Sequence, residues 1–267
     1  MKLQTLSFCL LFSLYFSCGS QNSENMAEVN GAGLAETNPP AEGFNVNTSD
    51  PEAIEIADKV MEAMGGRAAW DNTRYIRWNF FGRRSLVWDK KTGDVRIDVP
   101  ADSATYVINV NNDQGQVMIG GEEITNPDSL TKYVEQGKKI WVNDSYWLVM
   151  PYKLKDSGVT LTYVGEDSMQ TGDMADVLEL RFENVGFTPQ NKYQVYVDKN
   201  DGLVKQWAYY SEASLDSPNF VTSWDDYKDY NGIKLSSSRG ERGMSDIGVF
   251  DSIPHEKVFT LKPYRFN

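Results

Sequence analysis

From residue 51 onward, apolar and polar residues change places at almost every step, and that alternation restricts the chain to one broad class of fold. Ile76, Trp78 and Phe80 alternate with Arg77 and Asn79, and Val95, Ile97 and Val99 with Arg96 and Asp98. Val159, Leu161 and Tyr163 alternate with threonines; Leu178, Leu180 and Phe182 alternate with Glu179 and Arg181. A period of two gives a strand one buried and one wet face, the mark of antiparallel pairing. Asp89-Lys90-Lys91-Thr92-Gly93, Asp198-Lys199-Asn200-Asp201-Gly202 and Tyr230-Asn231-Gly232 lie between such runs and read as hairpin turns. The pattern predicts about ten to twelve strands, and a single sheet of that size curls or closes. The expected fold is mainly β with some α: a strongly curved antiparallel half-barrel with helices covering its concave face.

Helix signals are few. Ser49-Asp50-Pro51-Glu52 supplies a cap, a first-turn proline and early negative charge, and Ile54, Ala57, Met61 and Met64 follow at helical spacing until Gly65-Gly66. A second helix is predicted from Pro127 to about Trp141, with Leu130, Tyr133, Val134 and Ile140 on one side and Gly137 bending or ending it.

The first fifty residues read differently. Lys2 precedes an apolar run from Leu3 to Phe16, too short to span a bilayer, so residues 1–17 are predicted to be an export signal. The run ends at Ser17-Cys18-Gly19-Ser20, which resembles the bacterial lipoprotein signal, although Leu14 stands one position further from the cysteine than usual. The resemblance implies that Cys18 is lipidated (palmitate) and becomes the N-terminus, placing the chain in the cell envelope, with the outer membrane as anchor and the domain in the periplasm or at the surface. Residues 18–50 contain five acidic residues and no Lys or Arg, and lack a sustained apolar period. They are expected to form a disordered acidic tether with an r.m.s. reach of roughly 30 Å. The folded domain is expected over 51–267.

Composition excludes several classes. The chain carries 38 Asp and Glu against 26 Lys and Arg, a formal net charge of −12, whereas nucleic-acid binding calls for clustered cations. One histidine, His255, forms no two-histidine metal site, and two cysteines, Cys9 and Cys18, make neither a zinc finger nor a disulfide framework. The loop Asp198 to Gly202 lacks the ligand pattern of an EF-hand, as Gly202 stands where a ligand is needed. No nucleophile elbow, phosphate loop or dinucleotide fingerprint is present. No cofactor, metal or catalytic residue is therefore expected, and the chain is read as a monomer and not an enzyme. A hydrolase would require two carboxylates facing each other across a groove.

Aromatic residues make up 12% of the chain, including seven Trp, and several cluster. The run from Ile140 to Tyr152 holds Trp141, Tyr146, Trp147, Met150 and Tyr152 without a clean period of two or 3.6. Such side chains at the mouth of a curved sheet suit an apolar ligand. Together with Trp78 and Phe80, these five form the predicted lining of a hydrophobic concavity.

A family resemblance rests on four stretches: the first helix ending in Met64-Gly65-Gly66 with Ala69-Trp70 and a strand from Arg74 to Phe81; the block Asn143 to Asp156 followed by Tyr163-Val164-Gly165; the hairpin Val195 to Val204; and Trp224 to Lys234. Together they resemble LolA/LppX-type envelope proteins. The resemblance implies a half-open barrel that holds acyl chains or other lipids and takes part in lipid or lipoprotein handling. Unlike the soluble carrier, this chain is expected to be tethered, as a lipid-holding acceptor. The alternative is an interaction lipoprotein with a filled core that docks a protein or glycan. Separately, four Asp-Ser-apolar triplets, at Ser103, Ser129, Ser168 and Ser252, resemble an O-glycan acceptor of some envelope bacteria.

Overall fold

The computed structural model describes residues 37–266. The predicted signal peptide, Cys18 and the first part of the tether lie outside the described residues. Its helices are α1 (Pro51–Ala63), α2 (Arg67–Asn72), α3 (Pro127–Val149) and α4 (His255–Val258). The strands run β1 (Tyr75–Phe80), β2 (Arg84–Asp89), β3 (Asp94–Val99), β4 (Ala104–Asn109), β5 (Gly115–Ile119) and β6 (Glu122–Glu123), then β7 (Val159–Ser168), β8 (Met174–Phe182), β9 (Lys192–Asp198) and β10 (Val204–Tyr210). The last four are β11 (Phe220–Ser223), β12 (Asp225–Tyr230), β13 (Ile233–Arg239) and β14 (Arg242–Phe250).

These strands form two sheets, which corrects the expectation of one strongly curved half-barrel. The nine-stranded sheet has the order β12-β13-β14-β1-β2-β3-β4-β5-β6, and the five-stranded sheet β11-β10-β9-β8-β7. All pairings are antiparallel and neither order closes on itself. Twist strains a wide open sheet, and division into two is as good a relief as curling. The division falls at Trp224, the one residue between β11 and β12, whose indole is fully buried. One apolar cluster joins the two sheets, with Ile76, Trp78, Leu86 and Ile97 from the larger and Leu161, Leu178, Leu180, Val195 and Trp207 from the smaller. The three predicted turns do connect hairpins, and Asn231 and Gly232 take the positive φ values (55° and 88°) that a tight two-residue turn needs.

Helix α1 occupies its predicted span. Asp50 precedes it but makes no side-chain cap; its carboxylate accepts from the Tyr163 amide at 2.9 Å. Helix α3 does not end near Gly137: it continues to Val149, followed by a 3₁₀ turn over Met150–Lys153. Gly137 is there for closeness, since a Cβ would stand 3.0 Å from Ile108 Cδ1 and 3.2 Å from Tyr106 Cδ1 on β4. The helix touches β3, β4, β5 and β13, and Tyr146 reaches Phe182, Tyr193 and Trp207 of the smaller sheet. Apolar contacts on more than one side erase the single stripe by which a surface helix is recognised.

The tether expectation also needs correction at its C-terminal end. Asn38 is buried and donates to Asp58 at 2.7 Å, and Phe44 joins the core. The Asn45 and Asp50 amides donate to the Val159 and Leu161 carbonyls at 3.1 and 2.9 Å, while the Ser49 hydroxyl accepts from the Leu161 amide at 3.0 Å. These bonds occupy the outer edge of β7. Composition alone missed the segment because its anchors are single residues spaced along an otherwise polar stretch.

Candidate functional site

The seven residues predicted to line a hollow separate into two groups. Trp78, Phe80, Met150 and Tyr152 are buried at 5% exposure or less and belong to the core, so they line no open concavity. Tyr152 is fixed from both sides. Its ring stacks on Trp70 (4.3 Å, 10°), and its hydroxyl donates to the Met64 carbonyl at 2.7 Å while accepting from the Lys234 amide at 3.0 Å. Burial drives its phenol pKa far up. Trp141, Tyr146 and Trp147 are half-buried, with Trp141 edge-on to Trp88 at 5.2 Å.

Tyr146 and Trp147 meet an aromatic row that sequence reasoning missed. Phe182 (β8), Tyr193 (β9), Tyr209 (β10) and Phe220 (β11) lie on adjacent strands, with centroids 5.5, 5.5 and 5.0 Å apart in sequence along the row. Register produces it, for Tyr209 pairs with Tyr193 on one side and Phe220 on the other. Cross-strand rings on one face attract each other beyond their area burial. Trp147 stacks on Phe220 (5.9 Å, 13°), and Tyr146 lies 5.7 Å from Tyr193 and 6.3 Å from Phe182. Phe182, Tyr193 and Tyr209 are each half-buried, and Phe220 is 39% exposed. Neighbouring aromatic doublets hinted at such a row, but pairings across 11 to 16 residues are not visible in a linear sequence.

Two fixtures hold the roof over this row. The Arg84 guanidinium grips the Asp144 carboxylate with bonds of 2.6 and 2.8 Å, tying α3 to β2. Asp144 is fully buried, and that burial raises its pKa against the pull of Arg84 and Asn143. Arg239 on β13 donates to the Trp147 carbonyl at 2.6 Å, to Ser236 Oγ at 2.7 Å and to its neighbour's carbonyl, Ser238, at 2.5 Å. It lies 3.4 Å over the Trp224 ring, and burial lowers its pKa to about 9. A cation beside the last carbonyls of a helix satisfies groups the helix itself leaves open.

The Tyr146 hydroxyl, like Arg239 Nε, has no such partner. It is buried without a hydrogen-bond partner among Phe182, Tyr193 and Trp207, and burial pushes its pKa far above the ordinary value. The indole N–H groups of Trp88, Trp141 and Trp207 are also buried and unpartnered. At the row, Tyr146 and Trp207 therefore present hydrogen-bond donors, inside apolar walls, without acceptors.

Chemistry is less well provided. Asp58 and Asp144, the carboxyls whose pKa burial raises, each face a cation: Lys155 at 2.5 Å and Arg84. His255 lies 3.2 Å from the Asp94 carboxylate. In the loop from Asp198 to Gly202, Asp198 and Asp201 accept from the Asn200 and Leu203 amides, so both cap their own turn. Among the described residues no cluster of three or more His, Cys, Asp or Glu side chains could hold a metal ion. No helix among them is long and apolar enough to cross a membrane.

No family model matches the sequence, and no curated protein matches it. Solved structures do share similarity of shape. A DUF1329 family protein from Desulfovibrio piger is 14% identical with a TM-score of 0.42, over 77% of this chain and 96% of the other. A domain designated an outer membrane lipoprotein-sorting protein, from Vibrio parahaemolyticus, is 12% identical with a TM-score of 0.39, over 78% and 96%. A LolA superfamily protein from Nitrosomonas europaea is 13% identical with a TM-score of 0.34, over 76% and 97%. Likeness at this level assigns the chain to no particular family.

Proposed function

We propose that this is a non-catalytic binding protein of the bacterial envelope, tethered through a lipid on Cys18, that takes an apolar acyl-type ligand along the aromatic row. The observation that carries the reading is the half-exposed line Phe182-Tyr193-Tyr209-Phe220 roofed by Tyr146 and Trp147. Flat apolar rings on a partly exposed face bury the methylene groups of such a ligand. This reading puts the site at the rim of the domain, because Trp78, Phe80, Met150 and Tyr152 are core residues.

Titration of the full chain with a dansylated fatty acid tests this. Saturable binding that Trp147→Ala and Phe220→Ser each weaken at least about tenfold is expected, with the fold retained by circular dichroism. Absence of saturable binding, or an affinity in both variants unchanged from that of the parent chain, refutes it. The burial of those four side chains favours a second reading, in which the same rings dock a protein or glycan; an inert acyl probe with a bound oligosaccharide would select it.

A further inference from the structure

A second cleft, of about 640 Å³, opens where the end of α2, the start of β1, the β2–β3 turn and the residue after β14 meet. We propose that it binds a small soluble ligand through a phosphate, sulfate or carboxylate group. On a chain with a net charge of −12, this wall gathers Arg74, Lys90 and Lys91. The carboxylates around it have partners, that of Asp251 being neutral. Asp71 is held by Arg67 Nε at 2.8 and 2.9 Å, and Asp251 accepts from the side-chain amide of Asn231 at 2.9 Å. Asp89, fully buried beneath, accepts from the Lys91 amide at 2.9 Å and from Arg74 Nη2 and the Thr92 amide, both at 3.3 Å.

The cations are not answered in the same measure. Lys90 Nζ donates to the Trp70 carbonyl and lies 3.6 Å from the Trp70 ring centroid, but no carboxylate forms an ion pair with it. Burial lowers its pKa to about 8, the response of an ammonium short of anionic company. Lys91 is exposed and makes no ion pair among the described residues. An oxyanion in the cleft supplies these two lysines with a counter-charge. The volume falls within the range of about 300–1,000 Å³ usual for small-molecule sites, so the oxyanion is one end of a larger ligand.

Calorimetric titration of the full chain at low salt, with glucose 6-phosphate, inorganic phosphate and glucose as probes, tests the assignment. Both phosphates should bind saturably and glucose should not. Lys91→Gln, at an exposed position, and Lys90→Gln should each weaken binding about tenfold, the worth of one charge-assisted hydrogen bond. A salt-induced loss of affinity is expected as well. No saturable phosphate binding in the millimolar range, or unchanged affinity in both variants, overturns the proposal. Neither outcome bears on the acyl probe, whose site lies on other strands.

Discussion

Replacing Tyr146 by Phe removes one oxygen atom from the chain and should make the protein more stable. Most substitutions destabilise, so the sign alone is informative. The hydroxyl is buried among three aromatic rings with no hydrogen-bond partner. A buried polar group left unmatched costs about 1–3 kcal/mol, whereas the phenyl ring keeps every aromatic contact. A gain of about 1–2 kcal/mol follows, or roughly 2–8 °C in Tm for a domain of this size. Urea unfolding followed by Trp fluorescence would read it as a higher midpoint at constant slope. Tyr193→Phe is the control, because that hydroxyl has a partner, accepting from the Asn191 amide at 3.4 Å, and its removal should bring no gain. If Tyr146→Phe loses 1 kcal/mol or more (on the order of a typical net hydrogen bond), the hydroxyl is matched in solution and the donor-rich cage does not exist.

Other substitutions test other parts of the construction. Arg84→Met leaves the fully buried Asp144 carboxylate without its cation and should cost about 3 kcal/mol in the same urea assay, with α3 the first element to lose amide protection from hydrogen exchange. Gly65→Ala places a Cβ 2.2 Å from the Gly232 carbonyl oxygen at a φ of +112°, and a loss of at least about 3 kcal/mol, or failure to fold, is expected. Burial raises the Asp58 pKa despite Lys155 and Asn38, so the folded state holds that proton more tightly than the unfolded chain does. Its contribution to stability is present below the unfolded value of about 3.9 and fades as pH rises through the raised folded value. Asp58→Asn should flatten the stability profile over that interval, as seen in urea midpoints at successive pH values.

The sequence and the structure agree where the signal is local. Strands such as Tyr75–Phe80 and Leu178–Phe182 followed from alternation, and the Asn231-Gly232 turn from its positive φ demand. They part where the decisive contact is remote. Trp224 looks like one aromatic among many until the chain is seen to change sheets around it. Gly137 carries the ordinary reading of a helix breaker, yet its role is to let β4 come close to an unbroken helix. The polar strand β12, exposed or half-buried throughout, offers no alternation to read. At the candidate site, Tyr146 and Trp147 stood out as local oddities, but their partners on β8 to β11 depend on register, which tight turns and distant pairings set together.

The stretch from Asn38 to Asp50 has a consequence for maturation. It fills the bonding positions of Val159, Leu161 and Tyr163, which would otherwise be an adhesive margin facing any passing strand. A protease that trims past Asp50 therefore uncaps a seam along which two cleaved copies can zip together. Any cut that is to leave a well-behaved solitary molecule has to fall upstream of Asn38.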